Sequence, residues 1–510
     1  MAPMSEEASP SKLGRVDSLT AEQPAVDLTG LAARPAAPRL YRMLMPLLLI
    51  ASDFVCLAAA WGLGMVLRYA VKGPFNYLDY LRLWPYLGIW FVSFLIMGLY
   101  RGLGGGARIF ITPVEELRRT TVGSTWAFLT LVTVMFVLQG GLLYSRLILP
   151  CAWLGALVLV PFGRAMVREA CARQPWWGAS AVVFGDGKRA QQVIRVLLEQ
   201  PELGLNPVAV LADSLPPGST VAGVPVVGEF AKASELGRYR TIPYCIVALE
   251  EHSSQRLYEI HKQYGGFFPH MMIVPDLGGL ASLWIVARDV GGILGLEIRH
   301  NLLITTNRWM KRGLDLAVAI PLGLITAPFL LLAMAAIRLV SPGSAFYTQE
   351  RSGRGGRVIR ILKLRTMYQD AEARLQRLLA SDPAAQAEWQ QFFKLKRDPR
   401  ILPGIGHLLR KFSLDELPQV WNVIIGEMSM VGPRPLPGYH LDSFDAEFRA
   451  LRGRVMPGIT GLWQVSARSD GDIEVQERLD TYYIRNWSLW MDLYLMAKTI
   501  WVVIRSRGAY

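Results

Sequence analysis

Two adjacent carboxylates, Asp415 and Glu416, lie within the run K-F-S-L-D-E-L-P-Q-V-W-N-V-I-I-G-E-M-S-M-V-G-P-R-P, from Lys411 to Pro435. Arg410 and Lys411 stand just before them, and Arg434 follows between two prolines. Ser413, with Glu416 three residues on, makes the pattern of a capping box, in which hydroxyl and carboxylate each take a backbone N–H at a helix start. Pro418 has no N–H to lose and suits the first turn, which makes Asp415 an alternative cap. Both registers place the carboxylates where free N–H groups and the helix dipole favour negative charge. Phosphate prefers the same location. The plain reading is a capped helix and nothing more, and the company these residues keep decides between the two.

The elements that must position them belong to an unusually apolar chain. Its 510 residues suggest about three domains. They are 52% hydrophobic and only 19% charged, beyond what an ordinary soluble protein carries. The net charge of +13 admits nucleic acid, anionic lipid or a phosphorylated substrate, and the apolar segments favour the last two. The four cysteines, Cys56, Cys151, Cys171 and Cys245, have neither metal-ligand spacing nor the density of a disulfide framework. Residues 1–38, rich in Ala, Pro, Ser and Glu, read as a disordered tail without the apolar core of a signal peptide.

Four apolar segments follow, Met43 to Leu67, Leu83 to Leu99, Val122 to Leu138 and Leu147 to Phe162, near the ~20 residues needed to cross a bilayer. Asp53 is a charge among them and is expected to face a neighbouring helix. Arg34, Arg39 and Arg42 precede the first segment, Arg101, Arg108, Arg118 and Arg119 lie between the second and third, and Arg164, Arg168 and Arg173 follow the fourth. That bias puts both ends of the bundle in the cytoplasm. No row of polar residues suggests a transport pathway.

From Ala179 the pattern becomes βαβ. A-S-A-V-V-F-G-D-G-K-R-A reads as a strand, a glycine turn and a helix start, and P-V-A-V-L-A, V-A-G-V-P-V-V-G and P-Y-C-I-V-A-L continue a parallel, doubly wound sheet. Gly185, Gly187 and Ala190 form a shortened G-x-G-x-x-A, with Asp213 where a ribose-binding acid would sit. A turn that only packs a helix on a strand fits at least as well. The segment is read as an accessory module, joined by the linker G-L-E-I-R-H-N-L-L-I to a fifth apolar stretch, Leu316 to Ile337.

That stretch would be ~33 Å long as one helix. Pro321 and Pro328 interrupt it, and both flanks are basic, so a crossing would carry the rest of the chain out against the charge bias. A re-entrant hairpin resolves both conflicts. The remainder contains K-L-R-T-M (Lys363 to Met367), a charged helical stretch from Asp370 to Lys396, P-G-I-T-G-L-W-Q-V-S-A-R (Pro457 to Arg468) and a closing aromatic segment with Trp487, Trp490, Tyr494 and Trp501.

Taken in order, K-R-G-L-D, S-P-G-S-A-F-Y-T-Q-E-R-S-G, K-L-R-T-M, S-L-D-E-L-P-Q-V-W-N-V, M-S-M-V-G-P-R-P, P-G-I-T-G-L-W-Q-V and L-D-T-Y-Y-I-R-N-W-S-L give roughly 200 residues that resemble the bacterial sugar transferase family, the polyprenyl-phosphate hexose-1-phosphate transferases. The whole chain looks like the large membrane-bound members, of the undecaprenyl-phosphate galactose or glucose phosphotransferase type. The resemblance implies a membrane protein of mixed class. A tail (1–38) is followed by a four-helix transmembrane bundle (39–170), a Rossmann-like α/β module (178–300) and an α+β monotopic catalytic domain (308–510) with a re-entrant helix (314–340).

The implied reaction moves hexose-1-phosphate from a UDP-hexose to undecaprenyl phosphate, with release of UMP, at the cytoplasmic face of the bacterial inner membrane. Asp415 would attack the β-phosphorus and form a covalent phosphosugar intermediate, with Glu416 as base and Mg²⁺ held by Asp415 and Glu416. Arg410 and Arg434 would hold phosphate, as would Lys363 and Arg365, for which solvated charges on a strand are an equal reading. Gly458, Thr460, Gly461 and Gln464 would border the uridine. Asp480 matches a recurrent acid of unassigned role. The family's usual Ser-Pro at the bend is Ala327-Pro328 here, leaving Pro328 as the kink and Thr326 as the nearest hydroxyl. The partners are the UDP-hexose, undecaprenyl phosphate and the bilayer, with no nucleic acid; a homo-oligomer stays open. Two other readings compete: a membrane-anchored NAD-dependent nucleotide-sugar oxidoreductase or epimerase, for which no Tyr-x-x-x-Lys pair follows the glycine turn at usable spacing, and a polysaccharide-assembly scaffold.

Overall fold

A computed structural model describes residues 39–70, 87–100, 112–137, 148–174, 176–238, 242–250, 254–275, 285–290, 293–298, 301–382, 386, 398–466 and 473–504. The expected tail lies outside them. The chain divides into two units, the first mainly up to Asp276 and the second mainly from Leu277 to Tyr510.

The first unit begins with helices α1 (Arg39–Ala70), α2 (Leu87–Ile96), α3 (Pro113–Val137) and α4 (Ile148–Cys171). Of these, α1, α3 and α4 are long and apolar enough to cross a membrane. α2 has only ten residues, and the start of the expected second segment, 83–86, lies outside the described residues. Small residues let α1 and α4 approach closely: a Cβ on Gly155 would press on Ala60, and one on Gly163 would strike Cys56 and Ser52. Asp53 faces its neighbours as expected. Its carboxylate accepts from Arg164 Nε (2.8 Å), Arg164 Nη2 (2.6 Å) and the Tyr100 hydroxyl (2.6 Å).

The same unit carries a six-stranded sheet in the order β3-β4-β2-β1-β5-β6, built from β1 (Ala179–Phe184), β2 (Leu205–Leu211), β3 (Thr220–Val221), β4 (Val224–Gly228), β5 (Tyr244–Val247) and β6 (His270–Ile273). All neighbours run parallel except the short edge strand β3. Strand order reverses at β1, and both faces are covered. Ala181 and Val183 meet Ala190 and Ile194 of α5 (Lys188–Glu199), while Val182 and Phe184 meet Phe230, Ile260 and Phe268. This alternation is the period-2 pattern of a strand buried on both sides.

The second unit opens with a hairpin that the sequence reading treated as module and linker, β7 (Ile285–Val290) paired antiparallel with β8 (Ile293–Ile298). α6 (Thr305–Val340) follows, starting nine residues before the expected 314. It is continuous through Pro321 and Pro328, against the expected interruption. A proline removes a single ladder bond, which neighbouring turns can absorb. The Thr326 hydroxyl donates to Leu322 O (2.7 Å), a back-bond of the kind that bends helices.

Both halves of α6 pack on the same domain. Ala319 joins a core with Val420, Val423 and Tyr483, and Ala333 and Ile337 join one with Leu364, Leu402 and Leu409. Between them Leu324 and Ile325 are 71% and 76% exposed. The domain itself is built on β9 (Phe346–Ser352) antiparallel to β10 (Val358–Leu364), a short parallel pair β11 (Ser429–Val431) and β12 (Gly458–Thr460), and the helices around them. The charged stretch from Asp370 is helical over Ala371–Ser381, and most of its remainder lies outside the described residues.

Candidate active site

The carboxylate pair sits in a tight 3₁₀ turn, Leu414–Glu416, between α7 (Ile405–Lys411) and α8 (Gln419–Ile425). No capping box forms: Ser413 adopts left-handed backbone angles (φ 52°, ψ 27°), and neither it nor Pro418, the residue before α8, makes a side-chain cap. The cause is charge. Glu416 Oε1 accepts from Lys363 Nζ (2.8 Å) and from Arg434 Nη2 (2.9 Å), and two charge-assisted bonds outcompete one neutral N–H. A non-glycine residue at positive φ marks the strained turn that presents the pair.

Each cation arrives on a braced element. Lys363 lies on β10, which Asn422 ties to α8: its amide donates to Arg360 O (2.8 Å) and its Oδ1 accepts from Leu362 N–H (3.0 Å). Arg410 ends α7 and donates through Nε to Thr366 Oγ1 (2.9 Å). Arg434 follows β11, whose exit is clamped by Gly432 N–H to Thr460 O (2.8 Å) and Gly458 N–H to Pro433 O (3.0 Å).

The electrostatics separate the two acids. Burial pushes the Asp415 carboxyl up from the ordinary range and the Glu416 charge adds to this, with Lys363 and Arg410 opposing. Burial would also raise Glu416, but Arg434 and Lys363 more than reverse it and hold that group at about 2. Among the described residues no side chain pairs with Asp415 by hydrogen bond or ion pair. One acid is thus locked as an anion, and its neighbour is left half-buried and uncommitted.

The structure therefore brings together Asp415, Glu416, Lys363, Arg434 and, by its charge, Arg410. Arg365, expected with Lys363 at phosphate, has its guanidinium held apart from the carboxylates. Its guanidinium is buried and donates to Ser341 O (2.5 Å) and Pro342 O (3.1 Å), so it closes the chain after α6. Gly458, Thr460, Gly461 and Gln464 support backbone. A Cβ on Gly458 or Gly461 would run into the Gly432 main chain, Thr460 Oγ1 shares a hydrogen bond with Thr499 Oγ1 (2.7 Å), and the Gln464 amide donates to Ile459 O (2.9 Å). These contacts brace the approach to Arg434; none is with the carboxylates.

Asp480 gains a place behind Arg434. Arg452 donates through Nη2 to Arg434 O (2.5 Å) and lies 3.7 Å from the Asp480 carboxylate, with both side chains buried. Burial lifts Asp480 to about 6, against the pull of Arg452 and Gln476. Sequence reasoning passed over Arg452 and Asn422, whose only signal was a polar side chain at a helix position otherwise filled by core residues. Asp480→Asn weakens the hold on Arg452 and thereby on Arg434. The expected result is roughly a 10-fold loss of kcat, about 1.4 kcal/mol, recovered in part by Asp480→Glu and read in steady-state kinetics.

At the glycine turn of the accessory sheet, a protein carboxylate lies where a ligand's phosphate would bind. Glu250 Oε1 accepts from Lys188 N–H at the start of α5, where a pyrophosphate would bind. Asp213 accepts from Phe230 N–H (3.0 Å) and pairs with Arg256 (3.1 Å). The turn serves packing: a Cβ on Gly185 would reach Ala248 O at 2.5 Å.

A membrane-helix protein with an acid pair clamped by lysine and arginine is equipped for phosphate chemistry at a bilayer, and sequence comparison names the class. The profile described as bacterial sugar transferase matches residues 306–506, and that of a CoA-binding domain matches residues 96–275. The chain is 37% identical over 378 residues to the UDP-galactose-lipid carrier transferase of Erwinia amylovora, covering 72% of this chain and 76% of that protein. It is 33% identical over 412 residues to the undecaprenyl-phosphate galactose phosphotransferase of Salmonella typhimurium (79% and 83%). It is 27% identical over 372 residues to the UDP-glucose:undecaprenyl-phosphate glucose-1-phosphate transferase of Escherichia coli (70% and 76%). The chain belongs to the bacterial sugar transferase family.

Proposed function

We propose that the protein transfers hexose-1-phosphate from a UDP-hexose, galactose or glucose, to undecaprenyl phosphate, releasing UMP and starting a surface polysaccharide. The observation that carries this reading is the division of labour between Asp415, uncommitted, and Glu416, clamped between Lys363 and Arg434. The Asp415 carboxylate attacks the β-phosphorus. An Oδ–P bond forms, and the bond to the bridging oxygen breaks with its electron pair leaving on UMP. An oxygen of undecaprenyl phosphate then attacks the same phosphorus and returns the electron pair to Asp415. Splitting the transfer this way replaces one difficult displacement with two easier ones.

An anion approaching a pyrophosphate is opposed by like charge, and Arg410, Lys363 and Arg434 offset that repulsion. Clamped at about 2, Glu416 is a poor base. It becomes one when substrate phosphate draws Lys363 and Arg434 away. The donor set also fits Mg²⁺, which binds through one or two carboxylates plus substrate phosphates: Asp415 has no competing side-chain partner, and Glu416 directs both cations to Oε1. Bound there, the ion would supply charge neutralisation. Among the described residues no group of three or more acidic, His or Cys side chains forms a cage for it.

We place the catalytic domain on the cytoplasmic face of the inner membrane on the ground of the basic flanks, and read α6 as re-entrant. Support comes from its two halves, which pack on one domain, since a helix fastened at both ends to one domain does not carry the chain across. A UMP-release assay with a panel of UDP-sugars tests the whole reading. One equivalent of UMP is expected without acceptor and sustained release with undecaprenyl phosphate; release that strictly requires acceptor would overturn the two-step course.

The acid limb of that burst follows from Asp415. Its raised pKa means that protonation, and with it loss of the nucleophile, sets in at a higher pH than for an ordinary aspartate. Removing the neighbouring charge in Glu416→Gln lowers the Asp415 pKa, so the limb moves to lower pH even as the rate falls. A burst-rate profile of the two proteins measures the shift.

A further inference from the structure

A second basic site lies at the start of α6. A cavity of about 80 Å³ is bordered by Arg308, Lys311, Arg312 and Asp315, and by Arg354 and Arg454 from other segments of the same unit. The four α6 residues are spaced i, i+3, i+4, i+7 and so share one helix face. Their charges do not balance. Lys311 is matched by Asp492 (2.7 Å), and Asp315 accepts from Ser429 Oγ (2.9 Å) and Met430 N–H (3.0 Å). Among the described residues Arg312 donates only to neutral carbonyls, Val423 O (2.5 Å) and Ile424 O (2.8 Å), and Arg308 to Thr305 Oγ1 (3.3 Å). Among the described residues Arg354 and Arg454 have no acidic partner. Gathering four guanidiniums around one carboxylate is unfavourable without an external anion.

We infer that this arginine-rimmed cavity binds a phosphoryl group, and that it is separate from the site at Asp415. Guanidinium takes phosphate through paired N–H donors, and several can share one headgroup. The separation follows from α8. Arg312 caps its C-terminal carbonyls, whereas the carboxylates precede its first turn, so its seven residues put about 10 Å between the two. The phosphoryl group can come from an anionic phospholipid or from a nucleotide. The surroundings favour the lipid: Trp309 and Met310, beside Arg308, are 73% and 54% exposed, and the apolar run of α6 begins a turn later. Exposed indole next to cations at the mouth of an apolar helix is the pattern of a bilayer interface.

The test uses the full-length protein in a zwitterionic detergent. Its thermal midpoint is measured with added phosphatidylglycerol, phosphatidylcholine or UMP, in wild type and in an Arg354→Gln/Arg454→Gln double variant. Both arginines are exposed, so the variant is expected to fold. Phosphatidylglycerol should raise the wild-type midpoint where phosphatidylcholine does not, and the double variant should lose most of that rise while keeping any UMP effect. Asp415→Asn should keep the full lipid response, so a failure of the proposed chemistry would leave this result standing. Loss of the UMP response alone would retain the phosphoryl site and reassign its ligand to the nucleotide. Equal phosphatidylglycerol shifts in wild type and double variant, with UMP unaffected, would overturn the site.

Discussion

Asp415→Asn eliminates the acceptor-independent UMP burst and cuts steady-state turnover by on the order of 10⁴-fold, the scale seen when a nucleophile acting within a catalytic unit is removed. The amide keeps the size of the side chain and cannot form the acyl-phosphate. The neighbouring acid is not free to replace it, since Glu416 is held by Lys363 and Arg434. Intact mass of wild type quenched with UDP-hexose should show a phosphosugar adduct that is absent from the variant. A folded Asp415→Asn protein with normal turnover would sink the assignment of the nucleophile.

Asp492→Ala carries the largest expected cost in stability. Asp492 is fully buried on α9 (Leu489–Ile504) and accepts from Lys311 Nζ (2.7 Å), the Tyr483 hydroxyl (2.8 Å) and Trp487 Nε1 (2.9 Å). Truncation leaves a buried ammonium hydrogen-bonded to Val431 O (2.9 Å) and the Tyr483 hydroxyl (3.3 Å), with Asp315 acting on it by charge alone. Breaking such a pair from one side costs about 3–5 kcal/mol. Thermal unfolding in detergent measures the loss. Lys311→Met/Asp492→Leu should recover much of it, because removing both charges removes the uncompensated one. Activity should recover less, since Lys311 also holds the strand that leads to Arg434.

How much of this was legible depended on whether a residue acts locally or through distant partners. The βαβ alternation from Ala179 and the apolar helices were readable because burial on both faces of a strand, or in a bilayer, leaves a periodic trace. The acid pair and its cations stood out as blocks. Their hydrogen bonds did not: the S-x-x-E spacing signals a capping box, but Lys363, 53 residues away, takes Glu416 instead. Arg365 shows the same limit, since its neighbour at 363 reaches the site while it turns to the carbonyls of Ser341 and Pro342. Period-2 alternation would put 363 and 365 on one side, and the strand ends at Leu364. Lys311 and Asp315 were charges bordering an apolar helix and could have been flagged on that ground alone. The β7–β8 hairpin was missed because most of its second strand was read as a linker.

One consequence follows from the way α6 rests by both halves on a single domain. On the proposed placement the catalytic domain dips into one leaflet only, so its long-chain lipid substrate arrives sideways, by diffusion within that leaflet, and departs the same way. The newly attached sugar then remains on the side where it was added. Moving it to the opposite surface is then a separate transport step.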